Sequence, residues 1–296
     1  MTKLVRGTWI AIALAACGGT DDDSGPPPLA EVEGTLAHLA INDTSVFAID
    51  TRDKSLVEIG LDGTVKGKLM TRDAVLEVVA HGDWVAWIEV EGSGKIIRRR
   101  RNGMFESMRP FDPHIAASAE GLFYSDPGLL AVWPWDGPPQ RIAMPAPNTS
   151  LIAVDPSFAY TRDSTGQLVR YARTADMSET LLADSAGIQI KDGQLAYRTE
   201  DGVRVRDLFT SFDHVVGVPP ADYPCELLIA GRAVLCGKYR SMDGVAQELL
   251  TDPVGGYASR GKDVFWITTK PGSASDKPIS QLRLADAEVM IEMKPQ

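Results

Sequence analysis

Two histidines and one carboxylate recur at equivalent positions of this sequence, and these residue types can bind a metal ion. His38, Glu77 and His114 each lie ten or eleven residues before a hydrophobic residue that ends an apolar strand. Imidazole and carboxylate groups are ligands for zinc and other transition metals. The spacing therefore predicts a divalent-metal site formed by three neighbouring repeats. The alternative is a set of polar side chains that line a wet channel without a metal.

Other signatures of catalysis are missing from the sequence. It contains no Gly-x-Ser-x-Gly nucleophile elbow, no glycine-rich phosphate loop and no His-Glu-x-x-His motif. If the chain is an enzyme, His114 is the best candidate for a general base. A metal-assisted lyase or hydrolase, or a sensor of a small ligand, is therefore the alternative function, and binding without catalysis is favoured.

Two tryptophans form a second candidate site. Trp133 and Trp135 flank Pro134, and Pro138 and Pro139 follow closely. Residues two apart in an extended chain lie on the same side, and aromatic side chains are enriched in interface cores. The pair therefore predicts an exposed patch for a protein partner, while the other tryptophans are expected mostly in the core.

The elements that must position these residues are short strands with a fixed period. Each unit has an apolar strand, a polar turn and a second strand that ends on a large residue, as in VVAHGDWVAWIE (78–89) and IAASAEGLFYSD (115–126). Successive strand ends are 38, 37, 36, 37, 39 and 30 residues apart; the seven residues are Ile49, Trp87, Tyr124, Tyr160, Tyr197, Cys236 and Trp266. Further apolar segments follow most of them. Four strands in about 37 residues match one propeller blade.

The sequence therefore predicts an all-β fold, a single seven-bladed β-propeller over residues 31–296. A β-sandwich or a pair of barrels is the alternative, but neither usually keeps such a period. The spacing of 30 and the lack of a clear third strand before residues 244–252 predict a shortened blade six. The apolar segment 288–293 is interpreted as the fourth strand of blade seven, and residues 29–33 as a further edge strand.

The first residues have the pattern of an export signal. Lys3 and Arg6 precede an apolar stretch of about nine residues, which is too short for a bilayer that needs about 20. Leu14-Ala15-Ala16-Cys17 resembles the lipobox of bacterial lipoproteins. This resemblance implies a signal peptide over residues 1–16, a lipid on the Cys17 sulfur and, with Gly18 next, an outer-membrane destination. A plain signal peptide is the alternative.

Residues 17–30 predict a flexible tether between the lipid and the folded body. The stretch GGTDDDSGPPP (18–28) has no hydrophobic residue larger than proline, and Gly, Ser and Asp keep such chain solvated. Cleavage before Cys17 removes two basic residues and no acidic one, which changes the net charge from −10 to −12. The lipid would be the membrane anchor.

Export would place the remaining cysteines in an oxidising compartment. Cys225 and Cys236 lie symmetrically about Ala230-Gly231, so a two-residue hairpin would set them directly opposite each other. Opposed Cβ atoms lie about 4.5–5.5 Å apart, and a disulfide needs about 3.5–4.5 Å. The spacing predicts a disulfide, and two buried free thiols are the alternative.

The repeat resembles those of bacterial envelope propellers, in which a strand that ends in an aromatic residue is followed by Gly-x-[ILV]-x-Arg, as in GQLVR (166–170). TolB-like proteins are relatives in shape. The resemblance implies the fold and an envelope location, and it carries no specific activity.

Composition restricts the function further. Forty acidic against thirty basic residues argue against nucleic-acid binding, and 44% hydrophobic residues argue against global disorder. We therefore expect a lipid-anchored envelope propeller that binds an envelope protein as a scaffold. The sequence requires no cofactor, and a divalent metal is the one that it would accommodate.

Overall fold

The computed structural model of this chain describes residues 26–71, 73–145, 149–174, 177–182, 187–219, 226–248, 256–270 and 278–289. All regular secondary structure in these ranges is β, in 28 strands. Within the same ranges there is no helix long and apolar enough to cross a membrane. The predicted signal peptide, Cys17 and most of the predicted tether fall outside the described residues.

The strands form seven antiparallel sheets of four strands each, which confirms the predicted seven-bladed propeller. Blade one is β2 (Leu36–Ile41), β3 (Ser45–Asp50), β4 (Ser55–Gly60) and β5 (Val65–Met70). Blade two is β6 (Val75–His81), β7 (Trp84–Glu91), β8 (Gly94–Arg101) and β9 (Met104–Met108). Blade three is β10 (His114–Ala117), β11 (Gly121–Asp126), β12 (Leu129–Pro134) and β13 (Gln140–Ala143). Blade four is β14 (Ser150–Val154), β15 (Phe158–Arg162), β16 (Leu168–Ala172) and β17 (Ser178–Leu182).

The remaining blades complete a closed ring. Blade five is β18 (Gln189–Lys191), β19 (Gln194–Thr199), β20 (Gly202–Asp207) and β21 (Asp213–Gly217). Blade six is β22 (Leu227–Ala230), β23 (Ala233–Cys236), β24 (Tyr239–Met242) and β25 (Val245–Glu248). Blade seven is β26 (Tyr257–Arg260), β27 (Asp263–Lys270), β28 (Ile279–Asp286) and β1 (Ala30–Glu33). The first strand of each blade contacts its counterparts on both sides, from β2 against β6 round to β26 against β2.

The ring closes differently from the sequence-based interpretation. The fourth strand of blade seven is β1, which pairs with β28 in the register Ala30 to Leu282. Residues 288 and 289 lie in a turn after β28, and residues 290–293 fall outside the described residues. The assignment of 288–293 to this strand was wrong because apolar content alone does not reveal pairing between the two ends of a chain. The edge strand expected at residues 29–33 is the one that completes the blade.

Blade six is short, as the spacing predicts, and it has all four strands, including the third strand that the sequence did not show clearly. Each of its strands has four residues, and each turn between them has two. This compression accounts for the spacing of 30 residues. The third strand, YRSM, was missed because it has only one strongly apolar residue that packs in the core, Met242.

The core lies between neighbouring blades. All six residues of β3 are buried, as are the first six of β7. Trp87 packs with residues of blade one, and Trp266 packs with residues of blade six. These second strands are thus covered on both faces, which explains their nearly continuous apolar sequences. The fourth strands β5 and β9 are mostly exposed.

The direction of the strands defines two faces of the ring. We call the face where every first strand begins the upper face, and the face where it ends the lower face. Turns between the first and second strands and between the third and fourth strands therefore lie on the lower face. Because β1 is antiparallel to β28, the chain before Ala30 lies toward the lower face. Arg283 Nη1 holds this segment by donating to Pro26 O at 2.6 Å.

Candidate functional site

The first strands of all seven blades line a central channel. Its cavity of about 540 Å³ is bounded mainly by aliphatic side chains and alanines. The charged residues on its wall, among those described, are Glu77, Lys191 and Asp192. The channel therefore combines partly exposed apolar side chains with charges at a few positions, an arrangement that is common in ligand sites.

The upper mouth holds the three residues predicted to bind a metal. Glu77 Oε2 lies 4.0 Å from His114 Nδ1 and accepts a hydrogen bond from Ile115 N at 3.4 Å. His38 is the bulged residue of β2, with φ of 50°, and its side chain is exposed. No three His, Cys, Asp or Glu side chains in the described ranges form a group that could hold a metal ion. The structure therefore brings Glu77 and His114 together but does not assemble the predicted metal site.

Burial changes the proton affinity of both groups at this mouth. It raises the pKa of Glu77 to about 7, although the Ile115 N–H and the positive charge of Lys95 act in the opposite direction. Burial also lowers the pKa of His114, against the effect of Asp112. Near neutral pH the carboxyl group is therefore partly protonated beside a mostly neutral imidazole. Such a pair can exchange protons but attracts only weakly as an ion pair.

The lower end of the channel is crossed by the side chain of Lys191. Its Nζ donates to Ser259 Oγ at 2.7 Å and to Ser259 O at 3.0 Å, and it lies 3.5 Å from Ile229 O. The side chain thus runs from blade five to blades six and seven. Burial lowers its pKa, while the neighbouring Asp192 acts in the opposite direction.

Lys191 has no distinctive sequence pattern, because the segment IQIKDGQLAY is typical of a hairpin with a polar turn. Gln189 and Lys191 alternate in β18, and both line the channel. Two polar residues that lie two positions apart in a first strand were the sequence pattern that could have indicated a polar site in the channel. Alternate residues of a strand share a face.

A second cavity, of about 340 Å³, opens on the lower face between blades five and six. His214 and Val216 of β21 line one side, and the turns at 231–232 and 243–244 line the other. It arises where the compressed blade six adjoins the longer strands of blade five.

Two exposed phenylalanines lie in the turn at residues 208–212 of blade five, which we call the aromatic turn. Phe209 is 75% exposed and Phe212 is 65% exposed. The Asp207 carboxylate fixes the backbone by accepting from the N–H groups of Phe209 at 2.9 Å and Thr210 at 2.7 Å. The Phe212 ring stacks on His214, which lines the cavity between blades five and six, with centroids 5.2 Å apart. The aromatic turn is therefore held in place beside that cavity.

The structure does not present Trp133 and Trp135 as an exposed pair. Trp133 is only 6% exposed, and the guanidinium carbon of Arg99 lies 3.8 Å from its ring centroid. Trp135 stacks on Trp84 at 5.0 Å, and its Nε1 donates to Ser118 O. The predicted partner patch is therefore wrong: Trp133 lies in the third strand β12, a strand that the proline-rich sequence concealed, and it packs against blade two.

The hairpin of blade six differs from the predicted register. Ala230 pairs with Ala233, so the turn is Gly231-Arg232 and Leu227 lies opposite Cys236. Cys236 is fully buried and disulfide-bonded. Cys225 falls outside the described residues, and the residue directly opposite Cys236 is Leu227. The direct opposition was therefore wrong, and the pairing of Cys225 with Cys236 stays a prediction.

Comparisons with known proteins show the fold. No family model matches this chain, and no curated protein sequence does. A structure of streptogramin B lyase is 13% identical with a TM-score of 0.61, covering 86% of this chain and 94% of that one. PorZ of Porphyromonas gingivalis is described as a surface component of the type-IX secretion system. It is 12% identical with a TM-score of 0.60, and the match covers 86% of this chain and 38% of PorZ. A chain of the mitotic checkpoint complex is 11% identical with a TM-score of 0.60, and the match covers 95% of this chain and 98% of that one.

Proposed function

We propose that this chain is a lipid-anchored propeller of the bacterial cell envelope that binds another envelope protein as a scaffold. The observation that carries the proposal is the aromatic turn beside the cavity between blades five and six. Exposed apolar groups that adjoin a cavity are typical of interaction sites rather than of ordinary surface. No specific enzymatic activity is part of the proposal.

The geometry of the aromatic turn suits recognition of a protein. Its backbone is already fixed by Asp207, so binding would order little additional chain and lose little entropy. Burying an exposed phenylalanine ring contributes roughly 1.5–3 kcal/mol, and aromatic residues dominate the centres of interfaces. The cavity of about 340 Å³ offers space for a partner side chain between the two blades.

The proposed anchor is consistent with the position of the chain's first strand. The lipobox-like Leu14-Ala15-Ala16-Cys17 implies a lipid on Cys17, with an outer-membrane destination. The nine residues from Cys17 to the first described residue, Pro26, can extend about 30 Å. The tether would reach the ring on the lower face, where the aromatic turn also lies. A partner in or near the same membrane would be within its reach.

The related structures agree with this proposal only at the level of architecture. PorZ is described as a bacterial surface component of a secretion system, and the checkpoint chain belongs to a protein complex. Both are therefore propellers that occur in assemblies. At 11–13% identity their partners do not transfer to this chain.

Photo-crosslinking in intact cells tests the proposal. A photoreactive phenylalanine analogue replaces Phe212 in one variant and Phe111 in another. Phe111 is the matched control because it is 82% exposed but lies in the loop before β10, on the upper face. We expect one protein adduct from position 212, none from position 111, and loss of the adduct after Phe209→Ser.

Three results would contradict the proposal. The first is the absence of any protein adduct at position 212. The second is an adduct to lipid, which would make the aromatic turn a membrane contact. The third is an adduct unaffected by Phe209→Ser. A parallel Cys17→Ser variant tests the anchor, because its product should leave the membrane fraction and lose the adduct.

A further inference from the structure

We propose that the central channel binds a small apolar monocarboxylate, with the ligand's carboxylate paired to the Lys191 ammonium at the lower end. This inference is independent of the proposed protein partner, which uses the outer part of the lower face. It concerns a different site and a different class of ligand.

The first observation is a partly buried cation without a carboxylate partner. All contacts of the Lys191 ammonium are to neutral oxygens, from Ser259 and Ile229. No carboxylate within the described ranges lies within 4.0 Å of it. A charge removed from water is costly unless it is paired with an opposite charge. An anion in the channel would supply the missing partner.

The second observation is that one of the three ammonium hydrogens has only a poor acceptor. The contacts to Ser259 at 2.7 and 3.0 Å are normal hydrogen bonds. The distance to Ile229 O is 3.5 Å, and that carbonyl already accepts from Ser259 Oγ at 2.6 Å. One donor of Lys191 is therefore available to a ligand without breaking a strong contact.

The third observation is the shape and chemistry of the space in front of Lys191. The cavity of about 540 Å³ lies within the roughly 300–1,000 Å³ range of small-molecule sites. Its wall includes the partly exposed apolar side chains of Leu39, Val79 and Ile152. An apolar body would replace water along this wall, while a fully polar anion would lose hydration without compensation.

The other charges on the channel wall restrict the ligand to one negative charge at one end. Asp192 is exposed at the lower mouth beside Lys191, and Glu77 lies at the upper mouth. Both would repel a second anionic group when ionised. Asp192 also competes for the Lys191 charge, so its removal should strengthen binding.

Sodium octanoate is the probe, titrated calorimetrically into the full chain carrying Cys17→Ser so that no lipid is attached. We expect saturable binding, with octan-1-ol and octylamine at least tenfold weaker. Lys191→Met should weaken octanoate binding at least tenfold, and Asp192→Asn should strengthen it two- to threefold. Asn fits this position because Asp192 has φ of 50°, a backbone conformation that Asn tolerates. The control Lys54→Met removes a lysine outside the channel wall and should leave the affinity unchanged.

A second variant keeps the test decisive if Lys191→Met does not fold. Ala117 lies on the channel wall, so Ala117→Phe fills the space and retains the ammonium. It should abolish octanoate binding while the far-UV circular dichroism stays unchanged. The proposal is overturned if octanoate does not bind the parent chain, if octan-1-ol binds equally well, or if the folded Ala117→Phe variant keeps the affinity.

Discussion

Arg99 provides a quantitative test of how the blades are held together. It lies in β8, its side chain is 1% exposed, and it reaches from blade two to blade three. Nη1 donates to Trp133 O at 3.2 Å and Pro134 O at 2.6 Å, while Nε and Nη2 donate to Glu106. The perturbation is Arg99→Ala, which removes all of these contacts at once.

The expected loss of unfolding free energy follows from the separate contacts. Loss of the hydrogen bonds to the Trp133 and Pro134 carbonyls costs about 1–3 kcal/mol. Loss of the stacking of the guanidinium on Trp133 and Trp84 costs about 1–2 kcal/mol more. The pair with Glu106 adds little, because Glu106 is 49% exposed. We expect a total of about 2–5 kcal/mol.

Arg170 is the matched control in blade four. It makes the same pair of contacts to a fourth-strand glutamate, with Nε and Nη2 at 2.9 and 2.6 Å from Glu179 Oε2. Its guanidinium lies over Phe158 at 4.5 Å but has no buried carbonyl to satisfy, and Arg170→Ala should cost about 1 kcal/mol. Urea unfolding followed by far-UV circular dichroism compares both variants with the parent chain. Losses that agree within about 0.5 kcal/mol would refute the role assigned to the tryptophans and the carbonyls of blade three.

Three further predictions concern the mouth, the hairpin and the ring closure. Because burial raises the pKa of Glu77 from 4.5 to about 7, its ionisation should reduce stability as pH rises through that interval, by roughly 1–2 kcal/mol after solvent screening. The melting temperature of Glu77→Gln relative to the parent should therefore increase from pH 5 to pH 8, and a constant difference would contradict this. Replacing Cys225 and Cys236 by serine should cost about 2–3 kcal/mol and abolish the effect of reductant on the melting temperature. Gly34→Ala should cost at least about 2 kcal/mol in urea unfolding, since φ is +145° and the added Cβ would lie 2.4 Å from Asp50 Oδ2; an unchanged midpoint would disprove the clash.

The fold was predictable because a propeller repeats its pattern. The buried second strands supply a large residue at intervals of 36–39, and this period survives without any knowledge of pairing. Blade six departed from the period because two-residue turns and four-residue strands shorten it without removing a strand. Closure by β1 was not decided by the sequence, since strand pairing between distant segments leaves no local pattern.

The candidate sites were only partly predictable. The contact between Glu77 and His114 followed from equal positions in neighbouring repeats, whereas His38, the bulged residue of β2, forms no metal-binding group with them in the described residues. Trp133 was misplaced because a proline within β12 suggested an irregular segment. Lys191 and the aromatic turn were missed because their importance depends on which strands and turns meet in space.

The pairing of β1 with β28 also sets the order in which the molecule can be completed during its synthesis. Ala30 is made 252 residues before its partner Leu282. The first six blades each consist of contiguous chain and can form early, whereas the seventh must wait for the final strand. If the chain is exported, closure falls after translocation, and until then β1 and the last strand of the unfinished sheet remain unpaired edges. Such edges are where chains join wrongly to one another, so this interval is when aggregation competes most strongly with folding.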